Sequence, residues 1–197
     1  MSYVLGLTGP TGAGKSIFSA CAAAFGFNVI DCDISAREAV KKGKPGLEAL
    51  TAVFGKEILA GNGELDRKKL ALLAFSSKEK TELLNKTILP YIREIVNGKI
   101  TGDFVLLDAP TLFESGMDKI CNSTVAVLSP TKLRKKRIIE RDGLENTAAD
   151  MRISAGKPDK FYTDRVNTVF VNDGDIDSFE KKVKIYLEDI IGGKNYE

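Results

Sequence analysis

The sequence predicts an α/β fold of three layers, in which a five-stranded parallel sheet lies between helices. Five short apolar runs carry this prediction, because each ends in polar or turn-forming residues and helical patterns separate them. Strands that are covered by helices on both faces have near-continuous apolar runs of this kind. A glycine-rich segment directly after the first run is the second observation. Ligands of such sheets bind at the carboxyl ends of the strands, so we expect the functional residues there.

The predicted strands cover residues 3–8, 28–30, 104–107, 124–128 and 168–171. Turn-forming or acidic residues follow the later strands, at 31–33, 108–110, 129–130 and 172–174. An alanine-rich helix over residues 15–25 follows the first strand, which gives the order strand, loop, helix.

The segment between the second and third strands, residues 35–97, has helical patterns throughout. We expect it to be a helical subdomain inserted into a single domain of residues 1–197, with Ser77 as the N-cap of one of its helices. Further helices are predicted over 131–140, 147–155 and 178–191. The first of these is dense in Lys and Arg, and Arg141-Asp142-Gly143 ends it.

Composition excludes several classes of protein. The 29 Lys and Arg against 27 Asp and Glu leave a net charge of +2, too weak a field to make nucleic acid an expected partner. The sequence has no histidine, which excludes a Ser-His-Asp triad and histidine-ligated zinc. Three cysteines without a CxxC pair, no signal peptide and no long apolar run predict a cytoplasmic protein that does not bind membranes. We expect a monomer or a weak homo-oligomer.

Residues 9–16, GPTGAGKS, match the Walker A pattern and stand between a predicted strand and a predicted helix. The glycines let backbone N–H groups turn towards phosphate oxygens, and the helix N-terminus adds a positive dipole end. Lys15 is expected to reach the β- and γ-phosphates, and the Ser16 hydroxyl to bind Mg²⁺. The predicted ATP-binding residues in this segment are Gly12, Ala13, Gly14, Lys15, Ser16 and Ile17.

A phosphate-binding loop alone does not distinguish GTPases, helicases, transport ATPases and kinases. The third strand is followed by Ala109-Pro110-Thr111 rather than a DxxG switch, and no NKxD element follows, which disfavours a G protein. Helicases and transport ATPases need longer chains and further motifs. A compact kinase remains, in which one carboxylate addresses an acceptor hydroxyl and basic residues close over the phosphates.

Beyond the glycine-rich loop, several segments in a fixed order resemble the dephospho-coenzyme A kinase family. They are VIDCDISARE (29–38), GELDRKKLALLAF (63–75), LLNKTILPYIRE (83–94), LLDAPTLFESGMDKIC (106–121), RDGL (141–144) and VNDGD (171–175). The resemblance implies that the γ-phosphoryl group of ATP passes to the 3′-hydroxyl of dephospho-coenzyme A, giving coenzyme A and ADP. It also implies a P-loop NTPase fold similar to that of nucleoside monophosphate kinases. Residues 35–97 would then bind the acceptor, and residues 131–158 would form a basic lid.

Two aspartates are candidates for the chemistry. Asp33, just past the second strand, is interpreted as the base that orients and deprotonates the acceptor hydroxyl. Its alternative role is to cap the following helix, although Asp31 is the better candidate for a structural role. Asp108, at the end of the third strand, is interpreted as the Walker B carboxylate that holds Mg²⁺ through water. Its alternative role is to cap the turn before Pro110.

Three arginines are candidates for the lid. Arg137 and Arg141 are spaced i, i+4 and therefore share one helix face, and Arg152 on the next helix could converge with them on the transferring phosphoryl group. The planar, permanently charged guanidinium suits the charge on phosphoryl oxygens. A solvated helix face is the alternative. Together with Lys15 and Asp33, these arginines complete the predicted catalytic set.

The remaining candidate residues follow the third and fifth strands. Leu112, Phe113 and Glu114 are expected to line the acceptor cleft, with core packing as the alternative for the two apolar residues. Asn172 is expected either to contact the adenine of ATP or to form only a turn. Two other functions stay open at this point: a kinase for another small hydroxyl compound, such as a nucleoside or sugar acid, and a regulator that binds ATP without turnover.

Overall fold

The computed structural model describes residues 2–194 and contains a five-stranded sheet. The strands are β1 (Tyr3–Thr8), β2 (Asn28–Asp31), β3 (Phe104–Asp108), β4 (Ser123–Leu128) and β5 (Thr168–Val171). Their order in the sheet is β2-β3-β1-β4-β5. The pairings of β1 with β3 and β4, and of β4 with β5, are all parallel. The predicted α/β fold with a five-stranded parallel sheet is confirmed, and each strand lies within one residue of its predicted bounds.

Most of the chain's apolar core lies around this sheet, because the inner strands bury side chains on both of their faces. On one face, Leu5, Leu7 and Leu106 pack with residues of two helices, α1 (Lys15–Ala24) and α9 (Ile176–Lys194). On the other face, residues of β4 pack against Tyr162. Helices therefore cover both faces, as the continuous apolar strands predict.

The chain divides into two compact units, Met1–Val29 with Thr101–Glu197, and Ile30–Ile100. Besides α1 and α9, the first unit contains α6 (Thr131–Asp142), α7 (Asn146–Ser154) and α8 (Asp159–Thr163). The helices predicted over 131–140, 147–155 and 178–191 are confirmed with small shifts at their ends, whereas α8 was not predicted. Gly143 ends α6 with a φ of +64°, a conformation that favours glycine.

The second unit contains α2 (Cys32–Ala39), α3 (Pro45–Phe54), α4 (Arg67–Ala74) and α5 (Lys78–Lys99). The prediction of helix throughout this segment is wrong in one place, because Leu59 and Leu65 form an antiparallel bridge. The predicted N-cap is confirmed, since Ser77 Oγ accepts a hydrogen bond of 3.3 Å from the Lys80 backbone N–H. Across residues 2–194, no helix combines the length and the apolar character that spanning a bilayer requires.

Phe18 shows how strongly α1 is attached to the sheet. Its ring is fully buried and meets Phe170 of β5 edge to face, with centroids 5.5 Å apart. We expect Phe18→Ala to lower the free energy of unfolding by about 3–5 kcal/mol, because it removes buried apolar surface and leaves a cavity. Chemical denaturation followed by fluorescence or circular dichroism would measure this loss.

The matched control is Ile185→Ala on α9 in the same unit, where the residue is 51% exposed. This change should alter the free energy of unfolding by no more than about 0.5 kcal/mol. Equal losses for the two variants would contradict the assignment of Phe18 to the core.

Candidate active site

The glycine-rich segment forms the connection from β1 to α1. We call residues 9–16 the P-loop. Gly9, Gly12 and Gly14 have φ values of +136°, +76° and +105°, which residues with a side chain rarely adopt. These conformations turn the backbone around the carboxyl end of β1 before α1 begins at Lys15.

Neighbouring elements pack so closely against the P-loop glycines that a Cβ would not fit. A Cβ on Gly9 would collide with the main-chain oxygen of Val127, and one on Gly14 with the side-chain amide of Asn172. A Cβ on Gly12 would lie 2.8 Å from the main-chain oxygen of Arg134. The loop is therefore enclosed from behind by β4, α6 and the residue after β5.

Lys15 and Ser16 stand at the start of α1, as predicted. Lys15 Nζ donates hydrogen bonds of 2.8 Å to the Gly9 carbonyl and 3.4 Å to the Pro10 carbonyl, so the ammonium group folds back over the loop. The Ser16 side chain is exposed. An ammonium group above a loop of backbone amides is a site for anionic phosphate.

Asp108 ends β3 beside the P-loop strand, since the parallel register pairs it with Leu7 of β1. Its Oδ2 accepts a hydrogen bond of 2.8 Å from Ser19 Oγ on α1. The carboxylate is thus oriented towards the helix that carries Ser16, which supports the Walker B interpretation over a turn cap. Ser19 was not predicted, although its position three residues after Ser16 places it on the same side of α1.

The three predicted lid arginines do not form one group. Arg141 makes a bidentate ion pair with Asp142, with distances of 2.8 and 3.0 Å, and Arg152 Nη1 lies 2.6 Å from the same carboxylate. The hydrogen bonds from Arg141 hold the pKa of Asp142 below its usual range, and the positive charges of Arg141 and Arg152 lower this pKa further. Arg137 is not part of this cluster.

Arg137 instead contacts the back of the P-loop. Its Nη1 donates to the carbonyls of Gly12 and Ala13 at 3.3 and 3.4 Å and to Ser129 Oγ at 3.0 Å. The Arg137 guanidinium therefore binds P-loop carbonyls rather than the Asp142 carboxylate that Arg141 and Arg152 share. The i, i+4 spacing correctly placed the two residues on one helix face, but their side chains reach different partners.

Asn172 lies behind the P-loop as well. The residue is 1% exposed, and its Nδ2 donates a hydrogen bond of 2.9 Å to the Ala13 carbonyl. Its Oδ1 accepts one of 3.1 Å from Arg137 Nη2. Both polar atoms of the side chain are used within the protein, so this arrangement does not support the predicted contact with adenine.

The residues after β3 divide between the core and the surface. Leu112 is fully buried beside Gly6, which supports the core-packing alternative. Phe113 is half-buried and meets the ring of Phe161 at 6.2 Å. Glu114 is exposed. Its carboxylate acts on Tyr162, whose pKa is raised first by burial and then by the negative charge of Glu114.

Asp33 lies in the first turn of α2 in the second unit, where its side chain is exposed. Asp31 is the N-cap of this helix, because its Oδ1 accepts a hydrogen bond of 2.9 Å from the Ile34 N–H. Asp31 therefore has the structural role that was the alternative for Asp33. Lys99 of α5 fixes α2 from the other side, through bonds of 3.2 Å to Ser35 Oγ and 2.7 Å to Glu38.

Comparison with known proteins places these features in one family. The sequence profile of the Dephospho-CoA kinase family matches residues 3–178. A Dephospho-CoA kinase from Enterococcus faecalis is 39% identical over 199 residues, which cover 98% of this chain and 100% of the relative. A crystal structure of a Thermus thermophilus protein aligns with a TM-score of 0.80 at 30% identity, covering 95% of this chain and 97% of that chain. Dephospho-CoA kinase from Campylobacter jejuni has the same fold, with a TM-score of 0.71 at 24% identity and coverage of 98% and 100%.

Gly14 provides a test of how tightly the P-loop is packed. We expect Gly14→Ala to weaken ATP binding at least about tenfold, because a side chain at φ +105° costs about 1–2 kcal/mol and its Cβ would displace Asn172. Isothermal titration calorimetry with ATP would measure the change.

Gly102→Ala is the matched control for backbone strain. Gly102 has a φ of +82°, but a Cβ there would meet no atom within 4 Å. This variant should lose some stability and keep its ATP affinity. If both variants bound ATP as the unmodified protein does, close packing behind Gly14 would not matter for the nucleotide.

Proposed function

The chain belongs to the dephospho-coenzyme A kinase family, and from this premise we propose how its residues divide the work of the reaction. The protein is a kinase that transfers the γ-phosphoryl group of ATP to the 3′-hydroxyl of dephospho-coenzyme A, giving coenzyme A and ADP. The observation that carries this conclusion is the family match over residues 3–178, which includes the P-loop, Asp33 and Asp108. The resemblance noted from the sequence motifs is thereby confirmed.

The P-loop binds the triphosphate of ATP in this proposal. Backbone N–H groups of Gly12, Gly14, Lys15 and Ser16 donate to phosphate oxygens, and the N-terminus of α1 adds the positive end of its dipole. Lys15 exchanges the Gly9 and Pro10 carbonyls for the β- and γ-phosphates. A bond between an ammonium group and a phosphate is stronger than one to a neutral carbonyl, which favours the exchange.

Ser16 and Asp108 are the residues that would hold Mg²⁺ beside the phosphates. A hydroxyl and a carboxylate are hard oxygen ligands, and Mg²⁺ in kinases is held by one or two such groups together with phosphates and water. The orientation of Asp108 towards α1, fixed by Ser19, fits this role. The ion would neutralise charge on the phosphate oxygens during transfer.

We propose Asp33 as the general base for the acceptor. The 3′-hydroxyl oxygen attacks the γ-phosphorus, its proton passes to the Asp33 carboxylate, and the bond from the γ-phosphorus to the bridging oxygen breaks to release ADP. Because Asp31 already caps α2, the cap does not need the Asp33 carboxylate. The family segment that contains Asp33, residues 29–38, supports the same role.

Arg141 and Arg152 are the proposed lid arginines. Both guanidinium groups are bound to the Asp142 carboxylate, which keeps them together in a position to exchange that anion for another. The three oxygens of a transferring phosphoryl group offer the same bidentate contacts with more charge. We propose that Asp142 holds the pair until the phosphoryl group is in place.

The acceptor and its surroundings complete the proposal. We propose that the unit Ile30–Ile100 binds the acceptor and that the chain acts as one kinase domain. We propose that the protein is cytoplasmic, because Cys21, Cys32 and Cys121 are far apart in the sequence and form no CxxC pair, as is usual in a reducing compartment. We also propose that the protein acts as a monomer or weak homo-oligomer.

An assay of ADP release tests the choice of acceptor. The purified protein would be offered ATP and Mg²⁺ with dephospho-coenzyme A, and separately with adenosine, gluconate or shikimate. We expect the rate of ADP release with dephospho-coenzyme A to be at least about a hundredfold above the rates with the other acceptors. A smaller acceptor would leave polar groups of the binding site without their hydrogen-bond partners, which costs several kcal/mol. A stronger response to one of the small hydroxyl compounds would contradict the proposal.

Asp33→Asn tests the proposed base. The amide is the same size but cannot accept the proton, so turnover should fall by about a hundredfold or more while ATP affinity stays unchanged. Steady-state kinetics and calorimetry would measure the two quantities.

Asp31→Asn is the matched control, because asparagine caps helices about as well as aspartate does. It should retain turnover within a factor of about two to three. If Asp33→Asn lost ATP affinity together with turnover, Asp33 would belong to the nucleotide or metal site instead.

A further inference from the structure

We propose that Arg134, Arg137 and Asn172 are positioning residues that hold the P-loop peptides in their phosphate-binding orientation before the nucleotide arrives. We call these three residues the carbonyl clamp. The proposal rests on the proposed function in one respect, namely that the P-loop binds the phosphates of ATP. It assigns Arg137 and Asn172 an action through the loop, in place of the direct contacts with phosphoryl and adenine that the sequence predicted.

The residues of the carbonyl clamp donate hydrogen bonds to three consecutive carbonyls on the outer side of the P-loop. Arg134 Nε donates a hydrogen bond of 3.0 Å to the Thr11 carbonyl, and Arg137 Nη1 donates one of 3.3 Å to the Gly12 carbonyl. The Ala13 carbonyl accepts from both Asn172 Nδ2, at 2.9 Å, and Arg137 Nη1, at 3.4 Å. Every carbonyl from 11 to 13 thus has a donor behind the loop.

These bonds determine where the N–H groups point. A trans peptide is planar, and its N–H lies on the side opposite to its carbonyl. When the Thr11 and Ala13 carbonyls face the clamp, the N–H groups of Gly12 and Gly14 face away from it. Glycine φ values of +76° and +105° make the loop able to take this form, but the same freedom would allow other forms if the carbonyls had no donors.

Other groups hold the clamp itself in place. Arg134 is 4% exposed and forms an ion pair of 3.6 Å with Asp159 at the start of α8. The Asn172 main-chain oxygen accepts a hydrogen bond of 2.6 Å from Ser129 Oγ, and the Ser129 hydroxyl in turn accepts a hydrogen bond from Arg137 Nη1. The donors therefore cannot follow a carbonyl that turns inward, and such a turn would leave buried polar groups without partners.

Direct contact with the nucleotide is the competing explanation for these residues. A residue that touches adenine affects only ligands that carry the base. A residue that orients the P-loop affects every ligand that carries the phosphates. Inorganic tripolyphosphate has the phosphates without the base, and it therefore separates the two explanations.

Asn172→Asp is the main variant for this test. The carboxylate keeps the size of the side chain and can still accept from Arg137, but it cannot donate to the Ala13 carbonyl. Equilibrium binding of ATP and of tripolyphosphate, each with Mg²⁺ and without acceptor, would be measured by calorimetry on the folded protein. We expect the two affinities to fall by the same factor, about tenfold.

Asn167→Asp is the matched control, at the opposite ends of the same two strands. Asn167 Oδ1 only accepts, from the Thr124 N–H and Oγ1 at 2.8 and 2.9 Å, and an aspartate can accept both bonds. Binding of both ligands should therefore be unchanged. Arg134→Met is a second variant, for use if Asn172→Asp does not fold. An apolar side chain of similar length replaces the buried guanidinium, and the Asp159 carboxylate that loses its partner is exposed to solvent. Arg134→Met removes the hydrogen bond to the Thr11 carbonyl, and it should lower the affinities for ATP and tripolyphosphate by the same factor.

The outcomes are distinct. Equal losses for ATP and tripolyphosphate would support the clamp. A loss for ATP with tripolyphosphate unchanged would overturn it in favour of a base contact, and unchanged binding of both ligands by folded variants would overturn it as well. If the unmodified protein bound neither ligand, the proposed function itself would fail, and the clamp's role would fail with it.

Discussion

The planarity of the peptide group is the constraint on which this site depends. A phosphate can be bound by backbone N–H groups only if the carbonyls of the same peptides face the other way, where they need donors of their own. The P-loop meets the first condition through glycine at positions 9, 12 and 14. It meets the second through donors from α6 and the end of β5, of which Arg134 and Asn172 are themselves buried.

The order of the strands explains why these groups meet. With β1 between β3 and β4, the end of β1 lies beside the end of β3, which carries Asp108, and beside the end of β4, which leads into α6. With β5 next to β4, Asn172 follows directly behind the loop. The parallel sheet thus brings together, at one edge, the phosphate loop, the carboxylate that we propose for Mg²⁺ and the donors that support the loop.

The sequence was sufficient for the strands, the P-loop and the family, because apolar runs and the spacing of GPTGAGKS are local patterns. The sequence was not sufficient to predict the hydrogen-bond partners of Arg137 and Asn172. A spacing of i, i+4 shows that Arg137 and Arg141 share a helix face, but not that one reaches the P-loop while the other reaches Asp142. The buried Arg134 gave no signal within a run of basic residues, and Ser19 gave none within an alanine-rich helix.

Two crystal structures, one without nucleotide and one with ADP and Mg²⁺, would show whether the carbonyl clamp orients the P-loop. We expect the Thr11, Gly12 and Ala13 carbonyls to accept hydrogen bonds from Arg134, Arg137 and Asn172 in both crystals, and the β-phosphate of ADP to accept them from backbone N–H groups of the P-loop. A carbonyl of these residues that faces the phosphate site in the nucleotide-free crystal, or ADP phosphates that lie away from the loop, would contradict it.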